Sequence, residues 1–217
     1  MLLKTKNLMK AFGGLKAIDK VDFELPAGEI RGIIGPNGSG KSTFFNLVSG
    51  VYDPDPGSYI EFDGHDITNE PPHKIGALGL SRTFQLLRLY QDMSVINNVM
   101  SGYHTRVKYK FFDAVIGRKK IWDQEKEIKD EMMELLSFVG LADYAELNAS
   151  ELSGGQRRLL VLARAIAMKP KLLMLDEPAA GLSPVNVDNL MKIIMQLKDK
   201  YGFCLLYTSP SPRDTRR

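Results

Sequence analysis

A glycine-rich stretch near the start of the chain carries residues suited to bind an anion. GPNGSGKST, residues 35–43, fits the spacing G-x-x-x-x-G-K-[ST] with Gly35, Gly40, Lys41 and Ser42. Glycines let successive backbone N–H groups converge on phosphate oxygens, and a following helix points its positive N-terminus at the same anion. Lys41 would reach the β- and γ-phosphates of a nucleotide, and the Ser42 hydroxyl would hold Mg²⁺. A plain Gly-rich turn explains the glycines, but it does not explain a Lys-Ser pair at this offset.

A pair of carboxylates follows a continuous apolar run. LLMLDEP places Asp176 and Glu177 directly after residues 172–175, which we expect to form a buried parallel strand. In open α/β sheets, ligands bind at the carboxyl ends of the strands. Asp176 can hold Mg²⁺ through water, and Glu177 can orient or deprotonate an attacking water. Taken alone, the pair favours a strand that simply leaves the core into a polar turn, but a phosphate-binding loop upstream reverses this and favours the catalytic interpretation.

A third motif, LSGGQ at residues 152–156, precedes a run of apolar residues at helical spacing. Ser153 and Gln156 have the spacing of a capping box, which predicts that a helix begins here. A plain cap does not need Gly154 and Gly155, because consecutive glycines cost backbone entropy. Their N–H groups could instead bind a second anion.

The elements that must position these motifs are strands and helices in mixed order. Strands are predicted from alternating or continuous apolar residues at 2–9, 16–25, 29–34, 59–62 and 172–175. Helices are predicted from apolar residues at helical spacing at 42–49, 121–139, 156–169 and 185–200. The change in character from about 93 to 148 indicates an inserted helical subdomain.

Composition excludes several classes of protein. The chain has 217 residues, 44% of them hydrophobic and 25% charged, which is ordinary for a globular protein. No apolar run approaches the ~18 residues of a membrane span, and the start lacks the apolar core of a signal peptide, which predicts a cytoplasmic protein. The one cysteine is Cys204, so the body holds no disulfide and no thiol-based metal site. Arg213, Arg216 and Arg217 against Asp214 supply +2 of the net charge of +3, and the remaining +1 does not support a nucleic-acid partner.

Together the motifs resemble those of ABC-type ATPase subunits. The resemblance rests on GPNGSGKST, Gln85 in RTFQ, LSGGQ and LLMLDEP in that order, and it covers residues 2–203. It implies an α/β fold: a P-loop NTPase (RecA-like) core at 1–85 and 151–203, an antiparallel β subdomain within it, and an inserted α-helical subdomain at about 86–150.

The resemblance also implies that the ligands are ATP and Mg²⁺. The nucleotide-binding residues that it implies are Phe12, Gly35, Pro36, Asn37, Gly38, Ser39, Gly40, Lys41, Ser42, Thr43, Ser153, Gly154, Gly155 and Gln156. Mg²⁺ would be held by Ser42, Gln85 and Asp176, and catalysis would fall to Glu177 and Gln85. Phe12, in KAFGGLKAI, would stack on adenine, although a core aromatic at a strand end has the same pattern.

The same resemblance implies partners. The LSGGQ of one subunit closes on ATP held by the phosphate loop of another, so ATP joins a homo- or heterodimer, and AAGLSP at 179–184 would touch the second subunit. Integral membrane permease subunits, and indirectly a substrate-binding protein, complete the assembly at the cytoplasmic face of the inner membrane, where this subunit is peripheral. Leu86, Leu87, Leu89 and Tyr90 would form either the permease docking surface or the core of the insert.

Finer features resemble the ATP-binding component of branched-chain amino acid importers. These features are FGGLKAI, SRTFQLLRLYQDMSVINNVM at 81–100, the long helical insert and AAGLSP. The signature of that branch is often written with a Tyr and two Gln, whereas this chain has LSGGQ. Lipopolysaccharide-export ATPases share much of the pattern. A soluble ABC ATPase acting on ribosomes or DNA is the rival from another class, although such proteins usually carry paired cassettes with basic linkers or long coiled-coil inserts.

The end of the chain departs from this family. The family continues into another apolar strand, here 203–208, and then a turn whose histidine contacts the γ-phosphate; the turn falls near Ser209-Pro210, without histidine. CLLYTSPSPRD resembles a translated sequencing adapter, so we predict that 204–217 is a non-native tail of a C-terminally truncated chain with negligible ATPase activity. The strand is expected to pair between EIRGII and LLML, and residues 209–217 to have no regular structure, because Pro donates no N–H.

Overall fold

A computed structural model describes residues 1–83, 89–103 and 118–210 of the chain. The strands are β1 (Leu3–Phe12), β2 (Leu15–Leu25), β3 (Ile30–Gly35), β4 (Tyr59–Phe62), β5 (His65–Asp66), β6 (Leu80–Thr83), β7 (Leu172–Leu175) and β8 (Cys204–Pro210). The helices are α1 (Lys41–Val48), α2 (Pro72–Ala77), α3 (Val95–Tyr103), α4 (Arg118–Phe138), α5 (Gly154–Ala167) and α6 (Pro184–Tyr201), with short 3₁₀ turns at Ala142–Tyr144 and Ala149–Glu151. Every strand and helix predicted from the sequence is present, with ends displaced by a few residues.

The strands form two sheets of different kinds. One has the order β2-β1-β4-β5, with β1 antiparallel to both β2 and β4. The other has the order β3-β8-β7-β6, and its pairs are parallel. The α/β fold with an antiparallel β portion, expected from the resemblance, is therefore confirmed.

The core explains why the parallel strands read as continuous apolar runs. All four residues of β7 are buried, as are Leu205 and Leu206 of β8, as expected for inner strands of a parallel sheet, whose two faces are both covered. Phe44 and Phe45 of α1 join the same buried cluster as residues of both sheets. The helix that follows the glycine-rich loop is thus anchored by its apolar face.

Strand β8 lies where the sequence predicted, between β3 and β7, but it is longer than predicted. Its ladder with β3 runs on to Ser209 opposite Ile34 and Pro210 opposite Gly35, so the predicted end of the strand was wrong. Pairing with β7 stops at Tyr207 opposite Leu175. Among the residues that the structure describes, β8 pairs with β3 alone beyond that point. A proline is tolerated at such an edge position because it breaks no ladder bond on the open side.

Contacts divide the chain into two compact units. The first comprises 1–85 and 171–217, and the second comprises 86–170. The second unit takes in α5, which packs against α3, whereas the motif-based division placed the segment from 151 onward with the core. Among the helices of the described ranges, none has both the length and the apolarity needed to cross a bilayer.

A fully buried amide organises one loop of the second unit. Asn98 Oδ1 accepts the Tyr90 N–H at 3.0 Å. Its Nδ2 donates to the carbonyls of Tyr90 at 3.0 Å, Met93 at 3.0 Å and Ser94 at 3.1 Å. The loop holds Leu89 in the core at 8% exposure and leaves Tyr90 57% exposed. Of the four proposed docking residues, Leu89 is therefore core and Tyr90 is surface, while Leu86 and Leu87 lie outside the described residues.

Candidate functional site

The glycine-rich loop joins the end of β3 to the start of α1, as the motif requires. Gly38 and Gly40 have φ of 82° and 89°, a left-handed conformation that favours glycine. A Cβ on Gly40 would also lie 2.4 Å from the carbonyl oxygen of Ala17. Gly40, the N-cap of α1, is therefore required by both backbone conformation and close packing.

Lys41 is buried and folds back over the loop. Its Nζ donates to the carbonyl of Gly35 at 2.6 Å and to that of Pro36 at 2.9 Å. An ammonium group has three donors and a high cost of burial without acceptors, so the loop carbonyls satisfy it here. The spacing of the motif predicted a lysine at this place, but it did not predict this internal pairing.

A cavity of about 310 Å³ opens between the loop and the first strands. Its walls bring together residues of the aromatic strand end, the loop and the carboxylate turn: Phe12, Leu15, Lys16, Ala17, Asn37, Gly38, Gly40, Lys41, Ser42, Thr43 and Glu177. This volume lies within the range of small-molecule sites. Gly35, Pro36 and Ser39 belong to the loop without lining the cavity. Residues far apart in sequence therefore converge on one pocket within the first unit.

Phe12 stands at the wall of this cavity with 45% of its surface exposed. The alternative that it is a core aromatic is not supported. Its ring meets Tyr52 edge to face, with ring centroids 5.5 Å apart at 74°, and the Lys10 ammonium lies 5.7 Å from the Phe12 centroid. Sequence reasoning did not identify Tyr52, because this residue belongs to none of the motifs.

The two carboxylates leave β7 in different environments. Asp176 is buried; its Oδ2 accepts from Arg82 at 3.1 Å and its Oδ1 accepts from the Thr208 hydroxyl at 2.9 Å. Glu177 reaches the cavity wall and has a φ of +47°, which is strained for a residue other than glycine. Its N–H donates to Thr208 Oγ1 at 2.8 Å. One buried hydroxyl thus supports both residues.

Arg82 of β6 was not identified by the sequence analysis. Its guanidinium donates to Asn46 Oδ1 at 2.7 Å and to Ser49 Oγ at 2.9 Å, in addition to Asp176. The guanidinium carbon lies 5.5 Å from the centre of the Phe45 ring. Burial lowers the pKa of Arg82, and the hydrogen bond and charge of Asp176 oppose this effect. The sequence signal that could have identified Arg82 is a basic residue in a strand whose preceding residues are buried.

The donors expected for Mg²⁺ fit that ion in part. Ser42 lines the cavity, and hydroxyl and carboxylate oxygens are ligands that Mg²⁺ prefers. A carboxylate has about four acceptor positions, so Asp176 can still accept from metal-bound water while Arg82 and Thr208 are bonded to it. Gln85 lies outside the described residues. In the described part of the chain, no three His, Cys, Asp or Glu side chains cluster as a metal site.

The signature motif begins α5 in the second unit. Ser153 Oγ accepts the Gln156 N–H at 3.3 Å, and Gln156 Oε1 accepts the Ser153 N–H at 2.9 Å. The predicted capping box is therefore confirmed. A Cβ on Gly154 or Gly155 would meet no atom within 4 Å, and both glycines are helical. Neither packing nor backbone conformation within the described chain explains these two glycines.

Comparison with known proteins assigns the class. The family model described as "ABC transporter" matches residues 18–180. The chain therefore belongs to the ABC transporter family, and as a member it is a nucleotide-binding protein and an ATPase. The resemblance inferred from the motifs is confirmed.

Individual proteins similar to this chain include transport ATP-binding subunits and a solved ATP-binding cassette. The chain is 43% identical over 209 residues to the "Probable branched-chain amino acid transport ATP-binding protein LivG" of Archaeoglobus fulgidus, covering 94% of this chain and 78% of the relative. It is 37% identical over 205 residues to the "High-affinity branched-chain amino acid transport ATP-binding protein LivG" of Escherichia coli K12, covering 94% and 80%. The solved ADP conformation of MJ1267, "an ATP-binding cassette of an ABC transporter", superposes with a TM-score of 0.81 at 33% identity, covering 96% of this chain and 81% of that one.

Proposed function

We propose that this chain binds ATP with Mg²⁺ in the 310 Å³ cavity and, paired with a second ATPase subunit, powers import of branched-chain amino acids through membrane permease subunits. It acts at the cytoplasmic face of the inner membrane as a peripheral protein. The transported substrate is taken from the names of the LivG relatives. The nucleotide site is argued from the cavity itself.

One observation carries the nucleotide site: the cavity joins an exposed aromatic ring, a glycine-rich loop and a carboxylate. Phe12 offers a flat apolar face to a base. Gly38 and Gly40 shape the loop so that its N–H groups face phosphate oxygens, and Lys41 adds a cation. An aromatic platform, an anion cradle and a general base in one pocket fit a nucleoside triphosphate better than any other small ligand.

Each residue then has a defined task. Phe12 orients the base and the loop orients the phosphates, which places the terminal phosphate toward Glu177. Glu177 accepts the proton of the attacking water, while Lys41 leaves the Gly35 and Pro36 carbonyls and neutralises charge on the phosphate oxygens. Mg²⁺ would be held by Ser42, by Asp176 through water and by Gln85, and it supplies neutralisation of phosphate charge.

Replacement of Lys41 tests the site. Lys41→Ala removes the cation and should abolish binding of the fluorescent nucleotide mant-ATP. Lys4→Ala is the matched control, because Lys4 pairs with Glu24 on the antiparallel sheet at 2.6 Å and lines no part of this cavity. Binding by Lys41→Ala equal to that of the control would refute the assignment.

ATP turnover depends on the residues at the carboxyl end of β8. We propose that β8 supplies a strand but not the histidine that the resemblance to ABC ATPases implies after it, because the expected turn falls near Ser209-Pro210 in this sequence. Pro210→His should raise ATP turnover by about tenfold or more, as expected for a positioned acid–base group, and Pro210→Ala should not. Equal turnover by the two variants would contradict this role for the position.

The second subunit is argued from Gly154 and Gly155. Both lie exposed at the N-terminus of α5, with space for a Cβ that the sequence does not use. Close approach of an external anion to the helix N-terminus gives the glycines a reason, and ATP held by a second subunit is that anion. Glu177→Gln keeps the shape of the base but stops hydrolysis, so it should trap an ATP-bound dimer. The average molecular mass of the sample should then rise with protein concentration only when ATP is present. A variant that stays monomeric with ATP would contradict the arrangement.

Transport and docking need the partner proteins. When a homologous C-terminus that carries the histidine replaces 204–217, and permease and binding-protein subunits are co-expressed, the protein should support uptake of radiolabelled leucine that Lys41→Ala abolishes. Replacing Leu86, Leu87 and Tyr90 with Ser should release the chain from the permease without loss of mant-ATP binding. Lipopolysaccharide movement without leucine uptake would assign the chain to the export branch instead.

A further inference from the structure

The region around Arg82 links two parts of the proposed nucleotide site that the motifs treat as separate. Ser42 lies in the first turn of α1, and Asp176 follows β7, 134 positions later in the numbering. Arg82, from β6, contacts both structures: its side chain bonds to Asn46 and Ser49 at the far end of α1 and also to Asp176. The guanidinium is therefore a bridge between the helix of the phosphate loop and the carboxylate turn.

The bridge is buried and made of directional contacts. The side chains of Arg82 and Asp176 are each 6% exposed. A planar guanidinium directs its donors along fixed lines, so bonds at 2.7 Å, 2.9 Å and 3.1 Å to three different residues fix its orientation. The ring of Phe45 beside it closes off another side. Such a group transmits position, because it cannot move toward one partner without leaving another.

The geometry assigns Arg82 a positioning role. We propose that Arg82 holds the Asp176 carboxylate at a fixed spacing from α1, and hence from the Ser42 hydroxyl, so that the two groups bind the metal ion of the nucleotide together. The inference rests on the proposed function, since it concerns the residues assigned to Mg²⁺. It gives a role to Arg82, a residue of the RTFQ stretch for which the sequence analysis proposed none.

If Arg82 has this role, its replacement should weaken Mg²⁺ binding separately from any effect on folding stability. Partners that orient metal-binding groups typically change metal affinity by about 10- to 100-fold when replaced. Arg82→Lys keeps the charge, but its three donors lie on a single nitrogen, whereas Arg82 uses two separate nitrogens to reach Asn46, Ser49 and Asp176. The lysine therefore cannot replace all three bonds at once. The Mg²⁺ concentration that gives half of the metal-dependent rise in mant-ATP affinity should therefore increase by about tenfold or more. Affinity for mant-ATP in EDTA should stay unchanged, because the loop and Phe12 are intact.

The experiment titrates Mg²⁺ against mant-ATP binding in the purified chain and follows thermal unfolding in parallel. Lys4→Met is the control, because it removes a cation from an exposed ion pair on the other sheet. A raised Mg²⁺ midpoint in Arg82→Lys alone supports the proposal. A folded Arg82→Lys protein with the wild-type midpoint overturns it, and so does a variant whose melting temperature falls while the midpoint does not move.

A second variant covers the case in which Arg82→Lys does not fold. Asn46→Leu with Ser49→Ala frees the guanidinium from α1 and leaves the Asp176 ion pair intact. It should raise the Mg²⁺ midpoint in the same direction, and an unchanged midpoint overturns the proposal. Failure of the proposed function looks different, because the wild-type chain would then bind no mant-ATP, or Lys41→Ala would bind it normally.

Discussion

The phosphate loop and the signature motif both contain glycines ahead of a helix, but for different reasons. In the loop, Gly38 and Gly40 have left-handed backbone, and Gly40 leaves no room for a Cβ beside Ala17. In the signature, Gly154 and Gly155 have helical backbone and open space around them. The first pair is explained by the fold of its own unit. The second pair is explained only by something that approaches from outside the chain.

This contrast separates glycines that a chain needs in order to fold from glycines that it needs in order to assemble. Substitution should therefore affect different measurements in the two motifs. A change in the loop should lower stability and binding together. A change in the signature should leave folding intact, or improve it, and remove association.

Gly40→Ala should give the largest loss. A left-handed conformation costs about 1–2 kcal/mol for a residue with a Cβ, and the clash with the Ala17 carbonyl at 2.4 Å forces the backbone to shift. Together these should lower the free energy of unfolding by about 3 kcal/mol or more and abolish mant-ATP binding. Gly64→Ala is the matched control, with φ of +78° but open space, and should cost only about 1 kcal/mol. Equal losses in urea unfolding would show that the close contact is unimportant.

Replacing Gly154 and Gly155 together with Ala should separate folding from assembly. Alanine is favoured over glycine in helices by about 0.5–1 kcal/mol per site, so urea unfolding should shift to higher concentration. In the Glu177→Gln background, the ATP-dependent dimer should disappear in analytical ultracentrifugation. A dimer that persists would mean that nothing outside the chain requires these glycines.

Ser153→Ala tests the cap that the signature shares with ordinary helices. Loss of the bond from the Gln156 N–H should lower the free energy of unfolding by about 1 kcal/mol. Ser183, the N-cap of α6, makes no side-chain capping bond, so Ser183→Ala should leave stability unchanged. If both variants lose the same amount, the capping box of α5 has no special contribution.

Tyr52→Ala should have the smallest effect of these substitutions. It should weaken only the binding of the nucleotide base. An edge-to-face aromatic contact contributes about 0.5–1.5 kcal/mol, so loss of support for Phe12 should weaken ATP binding by about two- to tenfold. Competition by inorganic triphosphate, which has no base, should not change, and Tyr52→Phe should bind as wild type. An equal loss for both ligands would place the effect in the phosphate loop instead.

The sequence predicted well those features that depend on short-range rules. A continuous apolar run predicted the strand at Leu172–Leu175, and the spacing of Ser153 and Gln156 predicted the capping box, because both signals lie within a few consecutive residues. The sequence could not predict that Lys41 pairs with carbonyls of its own loop, because that pairing depends on the backbone conformation of the loop. Tyr52 and Arg82 were missed for a similar reason: their partners, Phe12 and Asp176, are distant in sequence.

The end of β8 shows how tertiary context changes a local rule. Proline was expected to stop the strand before Ser209, but the pairing with β3 continues through Pro210. The rule against proline applies where both sides of a strand are bonded, and β7 no longer pairs beyond Tyr207. Whether the proline is tolerated depends on the relative lengths of the neighbouring strands. The sequence of one strand gives no information about those lengths.

The amide of Asn98 gives the second unit a built-in spectroscopic reporter. Its two Nδ2 protons face the carbonyls of Tyr90, Met93 and Ser94, and the residue has no exposed surface. Protons in that position exchange with solvent only when the loop opens. In an ¹⁵N spectrum recorded in heavy water, this side-chain signal should outlast those of exposed asparagines, and its decay would time the opening of the loop that carries Tyr90.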